Sequence, residues 1–196
     1  MPTRDRFTSS YEGAPPPWDI GHPQHDLVAA FDELVLSGSA LDLGCGTGEN
    51  ALELARRGID TWGLDSTPAA IAVADQKRDE RGLRATFMVG DALDLAALGR
   101  TFDTVLDCGL FHVLTDEERR VYTTQLPLVL RKGGRFLMLG FATNTRGRGP
   151  RGYSPDELRG YFGEGWREVF IRATAFKAND EPEGLPAWVS AFVREG

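Results

Sequence analysis

A chain of 196 residues, 41% hydrophobic and 26% charged, has the length for one domain with one substantial core. Its net charge of −7 and its lack of a basic stripe argue against a nucleic-acid partner. Cys45 and Cys108 are too few for a disulfide framework and lack metal-ligand spacing, and no apolar run approaches the ~20 residues of a membrane span. No metal, membrane or nucleic acid is therefore expected. The N-terminus carries charges and prolines but no apolar signal region, so the expectation is a soluble cytoplasmic protein, monomer or homodimer.

Residues 1–17 are polar, then proline-rich, and read as a flexible segment ahead of a single domain over 18–196. Within it, 18–36 reads as a lid and first helix. Trp18 in a polar lead-in has two readings, packing on the domain or lending an aromatic wall to a ligand. From Gln24 to Leu36, Leu27, Val28, Phe31, Leu34 and Val35 keep a helical period. Ala40 to Leu43 is a buried strand. Gly44, Gly46 and Gly48 then alternate with Cys45 and Thr47, and after Glu49 and Asn50 a helical pattern of Ala51, Leu52, Leu54 and Ala55 stops at Gly58. Strand, glycine turn and helix let a nucleotide-like ligand lie against bare backbone at a helix start.

The spacing selects among ligands. The dinucleotide fingerprint is G-x-G-x-x-G, but here the third glycine comes one residue early and Glu49 takes its place. Asp42 just before the turn repels a pyrophosphate and attracts an ammonium and a sulfonium, the charges of S-adenosylmethionine. At Leu41 to Gly48 the sequence resembles the first motif of the class I S-adenosylmethionine-dependent methyltransferases. Trp18-Asp19-Ile20-Gly21 is similar to the lead-in of the thiopurine methyltransferase-like group, where this segment lids the active site; His22 follows as a substrate-side candidate.

Asp60 to Leu64 is the second strand, ending in Asp65, 21 positions after Gly44. A carboxylate there can accept both ribose hydroxyls, with Ser66 beside it; alternatively Asp65 only opens the next helix, since Ser66-Thr67-Pro68 is a start signal. That helix runs to about Arg81. The third strand, Ala85 to Val89, leads to Gly90-Asp91-Ala92. The resemblance implies that Asp91 meets the adenine amino group and the Ala92 backbone a ring nitrogen; a solvated turn aspartate is the rival. The cofactor residues expected are thus Trp18, Asp42, Gly44 to Gly48, Asn50, Asp65, Ser66, Asp91, Ala92 and Asp107.

The fourth strand, Phe102 to Asp107, runs into Cys108-Gly109-Leu110-Phe111-His112. Strand ends face the crevice of such sheets, so Asp107 and His112 are the acid–base candidates. The rival reading has His112 only holding Phe111 and Leu114 in place, with alignment carrying the rate. Methyltransferases acting on adenine or glutamine amino groups carry Asn/Asp-Pro-Pro-aromatic here; Asp107-Cys108-Gly109-Leu110 departs from it.

Thr115 to Glu118 is a capping box. Pro127 should kink or restart that helix, and Lys132-Gly133-Gly134 should end it before the fifth strand, Arg135 to Phe141. Thr143 to Tyr153 is a long Gly/Arg loop that reads as a substrate lid, where Arg148 or Arg151 is expected to orient an anionic or carbonyl oxygen, with solvated charge as the rival reading. Its Gly149-Pro150-Arg151 resembles the loop of small methyltransferases acting on heterocyclic toxins such as hydroxyquinolones. Ser154 to Glu157 is a second capping box, with a short helix to about Phe162. Trp166 to Phe176 is the sixth strand, Ala178 to Pro186 an acidic turn, and Ala187 to Arg194 a last, antiparallel strand.

The resemblance implies a Rossmann-like α/β sandwich: a mostly parallel seven-stranded sheet, the last strand antiparallel, helices on both faces. It implies methyl transfer from S-adenosylmethionine to oxygen, sulfur or nitrogen of a small aromatic or heterocyclic acceptor, a detoxification of hydroxyquinolone, thiol or phenol. His22, Phe111, His112, Phe141, Arg148, Arg151 and Tyr153 are the substrate-side candidates, with Trp18 as a further wall. The alternatives are an NAD-dependent oxidoreductase, or a methyltransferase-fold protein that acts on a macromolecule or only binds the cofactor.

Overall fold

The computed structural model describes residues 8–11, 15–142 and 150–196. In chain order it contains α1 (His25–Leu34), β1 (Ser39–Leu43), α2 (Glu49–Arg56), β2 (Asp60–Asp65), α3 (Pro68–Glu80), β3 (Ala85–Val89), β4 (Phe102–Cys108), α4 (Asp116–Val129), β5 (Leu130–Phe141), α5 (Pro155–Tyr161), β6 (Trp166–Ala178) and β7 (Glu181–Arg194). The strands form one seven-stranded sheet in the order β3-β2-β1-β4-β5-β7-β6. The pairs from β3 to β5 are parallel, and β7 runs antiparallel between β5 and β6. This is the expected sheet.

Side-chain alternation divides the core between the two faces. Leu41, Leu43, Val105, Phe136 and Met138 pack on one face with Tyr122 and Leu126 of α4 and Leu158 of α5. Ala40, Leu106, Leu137 and Leu139 pack on the other with Leu27 and Phe31 of α1 and Leu54 of α2. β1 is buried throughout, as a central strand covered on both faces must be. The chain leaves β1 toward β2 and β3, then returns to β4 on the other side, so a crevice opens beyond the carboxyl ends of β1 and β4.

Both capping boxes form, Thr115 with Glu118 and Ser154 with Glu157. Three boundaries differ from the sequence reading. α4 runs through Pro127 and ends at Val129, and Leu130 already pairs with Phe102, so Arg131 to Gly134 belong to an irregular start of β5. α1 stops at Leu34 because Val35 takes a left-handed conformation. The expected acidic turn over 178–186 shrinks to Asn179–Asp180, since β6 and β7 pair down to Ala178 and Glu181. Prolines in that stretch argue against a strand. Pro186, however, turns its carbonyl to the amide of Ala142 on the β5 side, so its missing N–H also faces away from β6 and costs no bond to that partner. Among the described residues no helix is long and apolar enough to cross a membrane.

Candidate active site

The glycine turn is a backbone construction. The amides of Gly44 and Cys45 both donate to the carbonyl of Leu64, at 2.8 and 3.0 Å, which bends the chain sharply out of β1. Gly46 and Gly48 have φ of +53° and +85°, a region that side chains with a Cβ rarely adopt. Asp65 at the tip of β2 fixes the turn from outside: Oδ2 accepts the Gly46 amide at 2.9 Å and Oδ1 the Thr67 amide at 2.8 Å. Asp65 therefore opens α3, as one reading has it, and also borders the crevice.

The crevice is a cavity of about 750 Å³. At its glycine-turn end lie Gly44, Cys45, Gly46, Thr47, Asn50, Asp65, Ser66, Asp91 and Ala92. Asp91 also accepts the amide of Leu93 at 2.9 Å. Further along, the wall is made of Cys108, Gly109, Leu110, His112, Phe141, Phe176 and Leu185. Burial raises the Cys108 thiol well above its ordinary pKa, the Asp42 and Asp107 charges adding to it, so it stays neutral.

The N-terminal segment closes one side, with Tyr11, Trp18, Asp19, Ile20 and His22 on the wall. Thr47 Oγ1 donates to Asp19 Oδ2 at 3.0 Å, and Asn179 Nδ2 donates to the Asp19 carbonyl at 2.8 Å. The segment is thus strapped between the glycine turn and the β6–β7 hairpin. Gln24 adds a second tie, its amide donating to Asn50 Oδ1 at 3.2 Å and its Nε2 to the Lys177 carbonyl at 2.9 Å. Lys77 of α3 donates to Thr47 Oγ1 at 2.7 Å and pairs with Glu49 at 2.8 Å. Glu49 also pairs with Arg81; burial opposes its ionisation, and Arg81 and Lys77 outweigh it, so its pKa is lowered. Tyr11, Gln24 and Lys77 were not foreseen from sequence: Tyr11 falls in the segment read as flexible, and the other two read as ordinary helix residues.

Several expected site residues lie off the wall. Asp42 is 1% exposed and, among the described residues, neither carboxyl oxygen meets a donor at good hydrogen-bond geometry; burial, with the charges of Asp107 and Asp65, drives its pKa well up, the Ala51 amide only partly offsetting it. Gly48 serves packing: a Cβ there would sit 2.8 Å from the Phe87 ring. Asp107 faces inward, accepting Tyr122 Oη at 2.8 Å and the amides of Leu110 and Phe111 at 2.9 and 3.1 Å. Burial raises its pKa to about 6 against those donors. It holds the loop after β4 and is not among the residues that line the cavity. Phe111 and Tyr153 are fully buried, edge to face at 5.5 Å, and belong to the core behind the cavity. Arg151 is engaged by Asp116 and Glu157 at the surface. Arg148 lies outside the described residues.

His112 does line the cavity. Its ring stacks on Phe141, centroids 4.2 Å apart, and Nδ1 accepts the Phe141 amide at 3.0 Å. Burial, with Arg119 adding to it, pulls its pKa down to about 3. A neutral imidazole whose Nδ1 accepts must carry its proton on Nε2. The expected role as proton acceptor therefore lacks the free lone pair it needs. Arg119, fully buried, anchors the same loop by donating to the carbonyls of Phe111 at 3.0 Å, His112 at 3.3 Å and Gly152 at 3.0 Å. Sequence gave no signal for it, since arginines on a capped helix are normally solvated.

A family profile described as a methyltransferase domain matches residues 40–134, the stretch from β1 to the start of β5. The 2-heptyl-1-hydroxyquinolin-4(1H)-one methyltransferase of Mycobacteroides abscessus is 34% identical over 189 residues, covering 91% of this chain and 83% of that protein. The chain belongs to the class I S-adenosylmethionine-dependent methyltransferases. A structure solved under the description "Conversion of a Disulfide Bond into a Thioacetal Group during Echinomycin Biosynthesis" is 37% identical, with a TM-score of 0.87 over 98% of this chain and 93% of that one. Magnesium protoporphyrin IX methyltransferase from Synechocystis PCC 6803, solved with bound S-adenosylmethionine, shares the fold at a TM-score of 0.73 and 23% identity, over 98% and 95% of the two chains. This methyltransferase takes S-adenosylmethionine as its cofactor, which sets aside the nicotinamide alternative. Its residues suit that molecule. The turn leaves bare backbone where a Cβ on Gly46 would approach Tyr11 Oη to 3.1 Å, and just before it lies the buried Asp42 carboxyl, whose oxygens meet no donor at good geometry among the described residues.

Proposed function

We propose that this methyltransferase acts on oxygen, sulfur or nitrogen of a small aromatic or heterocyclic acceptor, hydroxyquinolones and phenols first. The observation that carries the reading is the apolar wall of Phe141, Phe176, Leu110 and Leu185 continuous with the glycine-turn end of one cavity. A cavity of about 750 Å³ falls within the roughly 300–1,000 Å³ typical of small-ligand pockets. The hydroxyquinolone named for the Mycobacteroides abscessus relative supports the same acceptor class. A sulfur acceptor is the second reading, supported by the 37% identical protein of the disulfide-to-thioacetal conversion.

When bound, the cofactor supplies an electrophilic methyl group on a positively charged sulfur. Gly44 to Thr47 give it open space against bare backbone, Asp65 and Ser66 take the ribose, and Asp91 with Ala92 takes the base. Asn50 and Trp18 border it, and the Asp42 carboxyl, kept neutral by burial, lies just before the turn. Phe141, Phe176 and His22 orient the acceptor's ring, and the strap at Tyr11 and Trp18 excludes water. Proximity and in-line alignment then supply most of the acceleration. The biological sense we assign is detoxification inside the cell. Incubation with S-adenosylmethionine and a panel of hydroxyquinolones, phenols and aryl thiols tests the reading by mass spectrometry. Methylated products from members of one chemical class are expected, and no methylated product from any would overturn it.

A further inference from the structure

Resting on that acceptor class, we propose that His112 is a fixed hydrogen-bond donor, not a base, and that the enzyme selects acceptors that arrive as oxyanions. The ring nitrogen Nδ1 is committed to the Phe141 amide at 3.0 Å, and Phe141 and Phe176 lie against the imidazole at 4.2 and 5.7 Å between centroids. The nitrogen left for a ligand is Nε2, and it carries the hydrogen. Such a group binds an anionic oxygen and cannot remove a proton from a neutral hydroxyl without giving up its bond to the backbone.

The surroundings agree. Arg119 of α4, the charge that acts on His112, disfavours an imidazolium. Asp107 of β4 is turned onto Tyr122 and the loop amides, and Cys108 keeps its proton. The rings of β5 and β6 exchange no protons.

The acceptor therefore loses its hydroxyl proton to bulk water before binding. Its oxygen lone pair forms the new O–C bond as the C–S bond breaks, and the electron pair stays on sulfur, giving a neutral thioether. No proton moves in the transfer step. The substrates are hydroxyls acidic enough to be ionised near neutral pH, such as N-hydroxy and vinylogous-acid heterocycles, ahead of ordinary alcohols.

Nitrogen-15 NMR of the imidazoles, in the complex with S-adenosylhomocysteine, tests the donor directly. The chain has only three histidines, His22, His25 and His112, so His112→Gln assigns the signal. The expected result is a neutral, Nε2-protonated ring that does not titrate between about pH 5 and 8; an Nδ1-protonated or charged ring in that range overturns the proposal whether or not any acceptor is turned over. In turnover, kcat/KM should rise with the ionisation of each acceptor, so that the midpoint moves along a series of hydroxyquinolones and nitrophenols. His112→Gln, which keeps a donor near Nε2, should retain about ten- to a hundredfold more activity than His112→Asn, which keeps only the partner for Phe141. A midpoint that stays put across the series, or two variants equally inactive, would overturn it. Methylation of no acceptor with the expected NMR result would instead count against the proposed acceptor class.

Discussion

Thr47 and Asp19 meet across the mouth of the cavity, the hydroxyl donating to the carboxylate at 3.0 Å. The bond joins the glycine turn to the segment that precedes α1, and the Asp19 carbonyl is held in turn by Asn179. Asp19→Ala should release one end of this strap while leaving the core untouched. A bond of this kind contributes about 1 kcal/mol, so affinity for S-adenosylhomocysteine should fall roughly fivefold with little change in Tm. Fluorescence titration checks it; unchanged affinity would remove the strap from the binding site.

The glycines of the turn should separate in their effects. Gly48→Ala meets both a left-handed φ of +85° and the Phe87 ring at 2.8 Å. Conformational strain and overpacking together should cost about 2–5 kcal/mol in urea unfolding. Gly46→Ala, at φ +53° with Tyr11 Oη at 3.1 Å, should cost only about 1–2 kcal/mol but abolish cofactor binding. Equal stability losses would contradict the division between packing and ligand.

Asp107 should make the protein weaker as pH rises. Its pKa is raised to about 6 from 3.8, so the folded state binds the extra proton between those values. The stabilisation is complete below about pH 4 and is lost as pH climbs through about 6, amounting to about 3 kcal/mol at 1.36 kcal/mol per unit. Asp107→Asn removes that slope, because the amide can still accept from the Leu110 and Phe111 amides and donate to Tyr122. Urea denaturation of both proteins from pH 4 to about 7 measures the difference, which should shift in favour of the variant with rising pH. A parallel pH dependence would refute the assignment.

Arg119→Leu should destabilise the fold by about 2–4 kcal/mol, since the carbonyls of Phe111, His112 and Gly152 would lose their donor in a dry interior. It should also lower kcat by loosening His112. Lysine should rescue little, because an ammonium cannot reproduce the fork that reaches separate carbonyls. Thermal unfolding and steady-state kinetics together check both effects.

The parts legible in sequence were those set by local chemistry. Strand, glycine spacing and helix read directly at Ala40 to Arg56, and both capping boxes formed as written. Asp65 and Asp91 reached the cavity because strand tips must. The misreadings have tertiary causes. Phe111 and Tyr153 have the composition of a ligand wall, but three-dimensional packing turned them into the core. The sixth strand and the antiparallel last strand were read, but their pairing down to Ala178 and Glu181 stayed hidden because Pro182 and Pro186 are tolerated only where one side of a strand needs no donor. The fixed tautomer of His112 depends on an amide 29 positions away, beyond any local pattern.

The most direct measurement is calorimetric titration of the wild-type chain and Asp65→Ala with S-adenosylmethionine, and of the wild type with NADH. Saturable one-to-one binding of S-adenosylmethionine, weakened at least about tenfold by the loss of the Asp65 carboxylate, is the expected result. No heat with S-adenosylmethionine, or saturable binding of NADH in the same cavity, would contradict the account.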